Sequence, residues 1–330
     1  MQRPIADHSA TAGFHEAIDS ALGLLRDYAE RDATSAIDPP STTASATNTG
    51  QLAQPLPSLL EQCKQLLAEA DVQQPAPLRT IHHLACTGGT LISRCLAAQP
   101  NTQVLSEVDP LSPFVPGGFL PTDLIGLSRF SSRPADRETQ IQLFLAGLRV
   151  LQDQATRDGL HLILREHSHG LFHFGDAIPD RPGLREILSR VFPVKSLISV
   201  RHPLDAYLSL QDTGWVQHFS PPTLDEYARR YHAFLDTDQD GEPIRYEDFV
   251  ADPHASMQHI CERLDLRYTP DFVDTFSAIA LSGDSGRRGD VISPRPRRAH
   301  PPTLEQEAQA SEAFMTLLER LDYSRSVGAA

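Results

Sequence analysis

Two segments of the sequence combine residue types and spacing that suit the binding of an anion. In the first, Arg79–Ala85 predicts a strand that runs directly into a Gly-Gly-Thr turn and a helix. Such a turn brings backbone N–H groups and the positive end of a helix to one point, which suits a phosphate or sulfate. An ordinary tight strand-to-helix turn is the alternative, and the Walker A pattern GxxxxGK[ST] is absent. The candidate ligand groups of this loop are Cys86, Thr87, Gly88, Gly89 and Thr90.

The second segment places an arginine at the end of an apolar strand. Val194–Arg201 has strand length, Pro203 opens a predicted helix, and Ser209 lies about two turns along that helix. Ligands of open α/β sheets bind at the carboxyl ends of the parallel strands, where Arg201 is expected. A surface ion pair between Arg201 and Asp205 is the alternative interpretation.

Taken together, the two segments resemble the cofactor motifs of the sulfotransferases that use 3'-phosphoadenosine-5'-phosphosulfate (PAPS). The loop at 86–90 looks like the family's 5'-phosphosulfate-binding loop. Arg201, followed eight positions later by Ser209, is similar to its 3'-phosphate-binding motif. The resemblance therefore implies that the loop holds the phosphosulfate and that Arg201 and Ser209 hold the 3'-phosphate.

Two further segments extend the resemblance to roughly residues 78–321. Arg245–Phe249, followed by Asp252-Pro253, is similar to the family's YEDL…DP segment, which implies that Tyr246 lies near the adenine. The stretch 282–289 looks like the arginine-rich loop that closes over the 3'-phosphate, and the matching residues are Arg287 and Arg288.

The chain departs from the family at the start of the first loop. A lysine or arginine at that position usually stabilises the leaving phosphate, and here the residue is Cys86. A thiol cannot supply a positive charge. The candidates for the missing cation are Arg165, at the end of the predicted strand Gly159–Arg165, and Arg94, expected to point outward from the loop's own helix. Arg165 is the preferred candidate.

A general base must also accept the proton of an acceptor hydroxyl. Arg165-Glu-His167 resembles the Lys-x-His segment of the cytosolic sulfotransferases, which implies that His167 is the base. Glu107 resembles the catalytic glutamate of the protein-tyrosine branch, and the sequence does not decide between the two. A hydrogen-bonded loop histidine and a turn-capping glutamate are the alternatives. His169 and His202 are weaker candidates.

The fourteen histidines raise the question of a metal site. No HExxH or similar pattern occurs. Adjacent residues of a strand point to opposite faces, so His82 and His83 cannot bind one ion. The sequence therefore predicts no metal site.

The elements that position these residues alternate between strand and helix from Leu78 onward. Besides the segments above, Asp136 caps a predicted long helix, Ile244–Tyr246 predicts a short strand, and a helix follows from about His254. Alternation of this kind predicts a mostly parallel sheet with helices on both faces. With the resemblance, the expected fold is a P-loop-type, three-layer α/β domain over residues 77–330.

Residues 1–76 differ from the rest of the chain. Phe14 to Tyr28 and 57–70 have helical apolar spacing, and a Pro/Ser/Thr-rich linker separates them. These residues are expected to form a helical N-terminal arm. Packing on the chain's own domain and homo-oligomerisation through these helices are both open.

Composition narrows the setting of the protein. The formal net charge of −14, from 29 basic and 43 acidic residues, argues against a general nucleic-acid binder. The four cysteines have no CxxC or metal-ligand spacing and are expected to be reduced. No apolar stretch predicts a signal peptide or a membrane span. A bacterial cytoplasmic enzyme is expected.

The predicted activity is sulfuryl transfer from PAPS to a hydroxyl or amine of a small-molecule or glycan acceptor. The segment 110–135, with its phenylalanines, is expected to line the acceptor site. A P-loop kinase and a non-catalytic nucleotide-binding scaffold are the alternatives. ATP with Mg²⁺ would favour the kinase, and nucleotide binding without turnover would favour the scaffold.

Overall fold

The computed structural model describes residues 76–113, 123–237, 241–283 and 290–325, which all belong to one unit, Gln73–Ala330. Residues 1–75 of the predicted N-terminal arm lie outside the described residues. The predicted closing residues Arg287 and Arg288 lie outside them as well.

A five-stranded sheet forms the centre of the described domain. Its strands follow the order β2-β3-β1-β4-β5, and every pair of neighbours is parallel. The prediction of a mostly parallel α/β sheet is confirmed. The strands are β1 (Leu78–His83), β2 (Thr102–Val108), β3 (His161–Glu166), β4 (Val194–Val200) and β5 (Ile244–Arg245).

Helices cover both faces of this sheet. None of the helices in the described ranges combines the length and apolar character that a membrane crossing needs. The helices are α1 (Gly89–Ala97), α2 (Leu124–Arg129), α3 (Arg137–Arg157), α4 (His169–Phe172), α5 (Leu184–Ser189), α6 (Pro203–Asp212), α7 (Leu224–Leu235), α8 (Tyr246–Ala251), α9 (Pro253–Leu264), α10 (Phe272–Thr275), α11 (Pro302–Ala310) and α12 (Glu312–Arg320), with 3-10 turns at Trp215–His218 and Phe276–Ala278.

The long helix α3 shows how the pattern selects its buried face. The Asp136 side chain caps it by accepting a hydrogen bond from the backbone N–H of Thr139, as the sequence predicts. Ile141, Leu145 and Leu148 are buried against β3 and α5, because they recur at helical spacing. Leu151, three positions after Leu148, is 46% exposed.

The carboxyl ends of all five strands meet along one edge of the sheet. The loop at 86–90 follows β1, and the other candidate residues stand in or just beyond the ends of the remaining strands. The parallel sheet therefore collects residues that are far apart in sequence. They are Glu107 in β2, Arg165 and His167 at β3, Arg201 after β4 and Tyr246 after β5.

Candidate active site

The loop after β1 packs closely against two side chains from other parts of the fold. Gly88 adopts a left-handed conformation, with φ 87°, and the Tyr246 ring lies where a Cβ on Gly88 would be. A Cβ on Gly89 would come within 2.0 Å of the His83 ring. Both glycines are therefore required by close approach and, at Gly88, by backbone conformation.

The first turn of α1 faces a cavity of about 580 Å³, a size suited to a small ligand. The first N–H groups of a helix have no partner inside that helix, so they can bind an anion. Thr90 lines this cavity. The Thr87 hydroxyl is buried and donates to the Leu84 carbonyl at 2.8 Å, so it shapes the loop instead of facing the cavity.

Arg165 brings its guanidinium from β3 to the loop. Its Nη2 donates to Thr90 Oγ1 at 3.0 Å, and Nη1 donates to Ser106 Oγ at 2.7 Å. Nη1 also lies 2.8 Å from Glu107 Oε1. The cation that the loop lacks at Cys86 is thus present on a neighbouring strand, within hydrogen-bonding distance of the loop.

His83 fixes the orientation of that guanidinium. Arg165 Nε donates to His83 Nε2 at 2.7 Å, while His83 Nδ1 lies 2.9 Å from the Leu84 carbonyl and donates to it. Burial, reinforced by the charge of Arg165, lowers the pKa of His83 to about 3. The imidazole is therefore neutral and accepts from the arginine.

A local irregularity in β2 brings two consecutive side chains to the same guanidinium. Side chains normally alternate between the faces of a strand, but the pairing of β2 with β3 shifts between Leu105 and Val108, and Glu107 has φ 64°. This bulge turns Ser106 and Glu107 toward Arg165 together. A positive φ is unfavourable for a residue with a side chain and is typical of functional sites.

Glu107 and His167 form a second pair beside Arg165. His167 Nε2 lies 3.4 Å from Glu107 Oε2, and both side chains are mostly buried. Burial raises the pKa of Glu107, although Arg165 opposes the change, and burial lowers the pKa of His167. The structure thus brings together the two candidate bases that the sequence left open.

The segment that carries Arg165 and His167 is anchored by the residue between them. Glu166 Oε2 accepts hydrogen bonds from His82 Nδ1 at 2.6 Å and from Ser168 Oγ at 2.8 Å, and Oε1 accepts from the Leu184 N–H. These contacts, together with the charge of His82, outweigh the burial penalty and lower the pKa of Glu166 to about 2. His82 and His83 thus bind two consecutive side chains at the end of β3, Glu166 and Arg165 respectively.

Arg201 lies on the other side of the loop. Its Nη1 donates to the Cys86 carbonyl at 3.3 Å, and its guanidinium carbon lies 5.1 Å from the centre of the Tyr246 ring. Its Nε is buried without a hydrogen-bond partner among the described residues. A buried donor of this kind is costly unless a ligand satisfies it. Asp205 does not pair with Arg201 and instead binds Arg297.

Ser209 lies beneath an arginine that the sequence analysis missed. Arg298 Nη1 donates to Ser209 Oγ at 2.6 Å, and Arg298 also pairs with Asp212. An anion that reaches Ser209 must therefore contact or displace Arg298. The cluster of arginines at 295, 297 and 298 was the sequence signal that could have identified Arg298 as a candidate.

One predicted orientation is wrong. Arg94 does not point outward: its side chain is buried and donates to the carbonyls of Ser277 and Ile279. From the predicted acceptor segment, Ser112 lines the cavity and Phe130 is 66% exposed, while residues 114–122 lie outside the described part of the chain. Trp215 and His169 also face the cavity, with their rings stacked at an interplanar angle of 12°.

Comparison with known proteins identifies a family for this chain. The sequence profile described as "Sulfotransferase family" matches residues 81–270. No curated protein matches the chain.

Similar solved structures include a sulfotransferase domain from the Synechococcus PCC 7002 olefin synthase, at 19% identity and a TM-score of 0.49, which covers 77% of this chain and 97% of that one. A sulfotransferase domain from the curacin biosynthetic pathway has 15% identity and a TM-score of 0.47, with 76% and 99% covered. A sulfotransferase from Alicyclobacillus acidocaldarius has 18% identity and a TM-score of 0.41, with 75% and 94% covered.

Proposed function

We propose a specific reaction for this chain, which belongs to the sulfotransferase family: transfer of a sulfuryl group from PAPS to a hydroxyl or amine of a small-molecule or glycan acceptor. The observation that carries the proposal is the convergence of Arg165, the loop residue Thr90 and the pair of Glu107 and His167 in one cavity. A phosphate-binding loop, a cation and a base are the groups that this transfer requires.

The residues of the cavity fit the donor nucleotide. The N-terminus of α1 suits the phosphosulfate, and the buried Arg201 Nε is a donor suited to a phosphate oxygen. Ser209 is buried outside the lining of this cavity and is bound to Arg298, so the resemblance alone assigns it to the 3'-phosphate, while Tyr246 beside Gly88 lines the cavity with a flat ring suited to the base. PAPS supplies the activated sulfur–oxygen bond that is broken in the reaction.

Arg165 then takes the role of the loop lysine. Negative charge develops on the oxygen that leaves with the phosphate as the sulfur–oxygen bond breaks. The guanidinium is fixed by His83 and Ser106 and bonded to Thr90, so it can stabilise this charge without rearranging. Cys86 contributes its backbone to the loop and needs no charge.

His167 is the better of the two candidate bases. Glu107 Oε1 is engaged by Arg165 at 2.8 Å, so one oxygen of this carboxylate is already occupied. His167 has a lowered pKa, so it is neutral near pH 7 and can accept the acceptor's proton at its imidazole. Glu107, 3.4 Å from His167 Nε2, would then stabilise the imidazolium.

The test is a transfer assay with sulfur-labelled PAPS and a panel of alcohols, amines and glycans. The expected result is label on an acceptor with release of one equivalent of 3'-phosphoadenosine-5'-phosphate (PAP), lost in Arg165→Met. Phosphoryl transfer from ATP with Mg²⁺ would replace the proposal with a kinase. Tight PAP binding with no turnover on any acceptor would favour the non-catalytic alternative.

A further inference from the structure

Two histidines and a carboxylate converge on the same side of the cavity. Glu107 comes from β2, His167 follows β3, and His169 begins α4. One donor atom from each lies within 4.8 Å of the other two. The sequence predicted no metal site because these residues follow no local motif. The cluster forms because β2 and β3 pair in parallel, which brings the ends of both strands together.

We propose that Glu107, His167 and His169 bind a transition-metal ion, with Zn²⁺ as the best-suited ion. Two imidazoles and a carboxylate are a donor set that Zn²⁺ accepts with one further position open. The cluster lines the cavity, so that open position would face a ligand.

The separation of two donors fits a single ion. Ligands at the usual zinc distances, in a tetrahedral arrangement, lie roughly 3.3 Å apart. His167 Nε2 and Glu107 Oε2 are separated by 3.4 Å, which is long for a hydrogen bond but matches the separation of two ligands on one tetrahedral ion. The third donor atom, on His169, lies within 4.8 Å of the other two.

The charged groups around the cluster affect how well it can bind a cation. Arg165 opposes a cation, but it is bound to Glu107 Oε1 and leaves Oε2 toward His167. A ligand carboxylate whose second oxygen is hydrogen-bonded is a common outer-shell arrangement. The charge of Asp109, next to the cluster in the cavity wall, is matched by Arg181 at 2.7 Å. The pair is thus close to neutral.

Metal binding would disable the pair that the proposed reaction uses for its proton. An ion on His167 Nε2 keeps the imidazole in its Nδ1–H form, which has no nitrogen left to accept a proton, and an ion on Glu107 Oε2 removes the carboxylate that would stabilise the imidazolium. Zn²⁺ is therefore expected to be a reversible inhibitor of the proposed transfer, at a site distinct from Arg201 and the nucleotide's basic side.

The test is a titration of the full-length chain with Co²⁺, a coloured substitute for Zn²⁺, followed by visible absorption. We expect intense tetrahedral bands at one equivalent that disappear when Zn²⁺ is added. His169→Asn should weaken Co²⁺ binding by more than about 100-fold, since loss of an outer-shell partner alone costs 10–100-fold. His259→Asn, which changes an exposed histidine on α9, is the matched control and should bind as the unmodified chain does.

The same titration separates the possible failures. Absent tetrahedral bands, or bands that survive in His169→Asn, would overturn the proposal. If His169→Asn does not fold, Glu107→Gln tests the same ligand set with almost unchanged shape, and unchanged Co²⁺ binding there would also overturn it. PAP binding, measured in parallel without metal, reports on the nucleotide site independently.

Discussion

Replacement of Arg201 by methionine should remove a defined part of the affinity for the nucleotide. The structure leaves Arg201 Nε buried without a hydrogen-bond partner among the described residues, and its Nη1 contact with the Cys86 carbonyl is long, at 3.3 Å. A 3'-phosphate would satisfy this side chain. Methionine keeps a long, unbranched side chain against Tyr246 and removes the charge, including the guanidinium over the Tyr246 ring.

The size of the effect follows from these contacts. A hydrogen bond to a charged group contributes about 1.5–3 kcal/mol. Loss of one such bond at Arg201 should raise the Kd of PAP roughly 10- to 150-fold. AMP lacks the 3'-phosphate, so its Kd should change by less than about threefold, which is under 1 kcal/mol.

Calorimetric titration of both nucleotides against both proteins provides the assay. The ratio of the AMP and PAP dissociation constants measures the contribution of the 3'-phosphate, and this ratio should collapse in Arg201→Met. Arg245→Met is the matched control, because Arg245 carries the same charge beside Tyr246 but is bound to Asp248 at 2.7 Å. Its ratio should stay that of the unmodified chain.

One result would refute the reasoning directly. If Arg201→Met weakened AMP and PAP by the same factor, Arg201 would act on the 5' end or on the loop itself. An unchanged ratio of the two dissociation constants would therefore remove Arg201 from the 3'-phosphate site.

Three further predictions concern the loop, the base and the anchor of β3. Gly89→Ala should weaken PAP binding and lower the free energy of unfolding by about 1–3 kcal/mol in thermal melts, because its Cβ would lie 2.0 Å from the His83 ring. The control Gly147→Ala, on α3 with no atom within 4 Å of the new Cβ, should be neutral or stabilising in these melts. Because His167 must be neutral to act, kcat should rise with pH to a plateau, with a midpoint below the ordinary pKa of 6.5. His167→Asn should lose this rise of kcat with pH and lower kcat by about 10²–10⁴-fold. An unchanged pH profile in this variant would exclude His167 as the base. The pKa of Glu166 is lowered from 4.5 to about 2, so its contribution of about 3 kcal/mol should be complete above pH 4.5 and lost as the pH falls toward 2; denaturant unfolding of Glu166→Gln over this interval should lack that pH dependence.

The sequence predicted the sheet and the main elements because their signals are local. The apolar runs before Arg165 and Arg201 have strand length, and the Asp136 cap and the Pro203 helix start depend on neighbouring residues only. The order of the strands is not local. The sequence therefore named Glu107 and His167 as rivals, whereas their adjacency depends on the pairing of β2 with β3.

The contacts missed by the sequence analysis all join distant segments. Arg94 was expected to point outward because its spacing along α1 says nothing about the carbonyls of Ser277 and Ile279 that bind it. Arg298 reaches Ser209 from a position 89 residues away. The bulge at Glu107 depends on tertiary contacts with Arg165 and could not be read from residue types.

The proposed placement of the catalytic cation on β3 has a consequence for how such proteins diverge. A charge carried on the anion-binding loop ties one loop residue to one chemical type. Here Arg165 carries the charge on a buried strand, where His83 and Ser106 support it. With Arg165 in its proposed role, position 86 is released from that constraint and can hold an uncharged residue. A search that requires a basic residue at the loop would then miss proteins of this kind, whereas a search for an arginine at the end of the third strand would retain them.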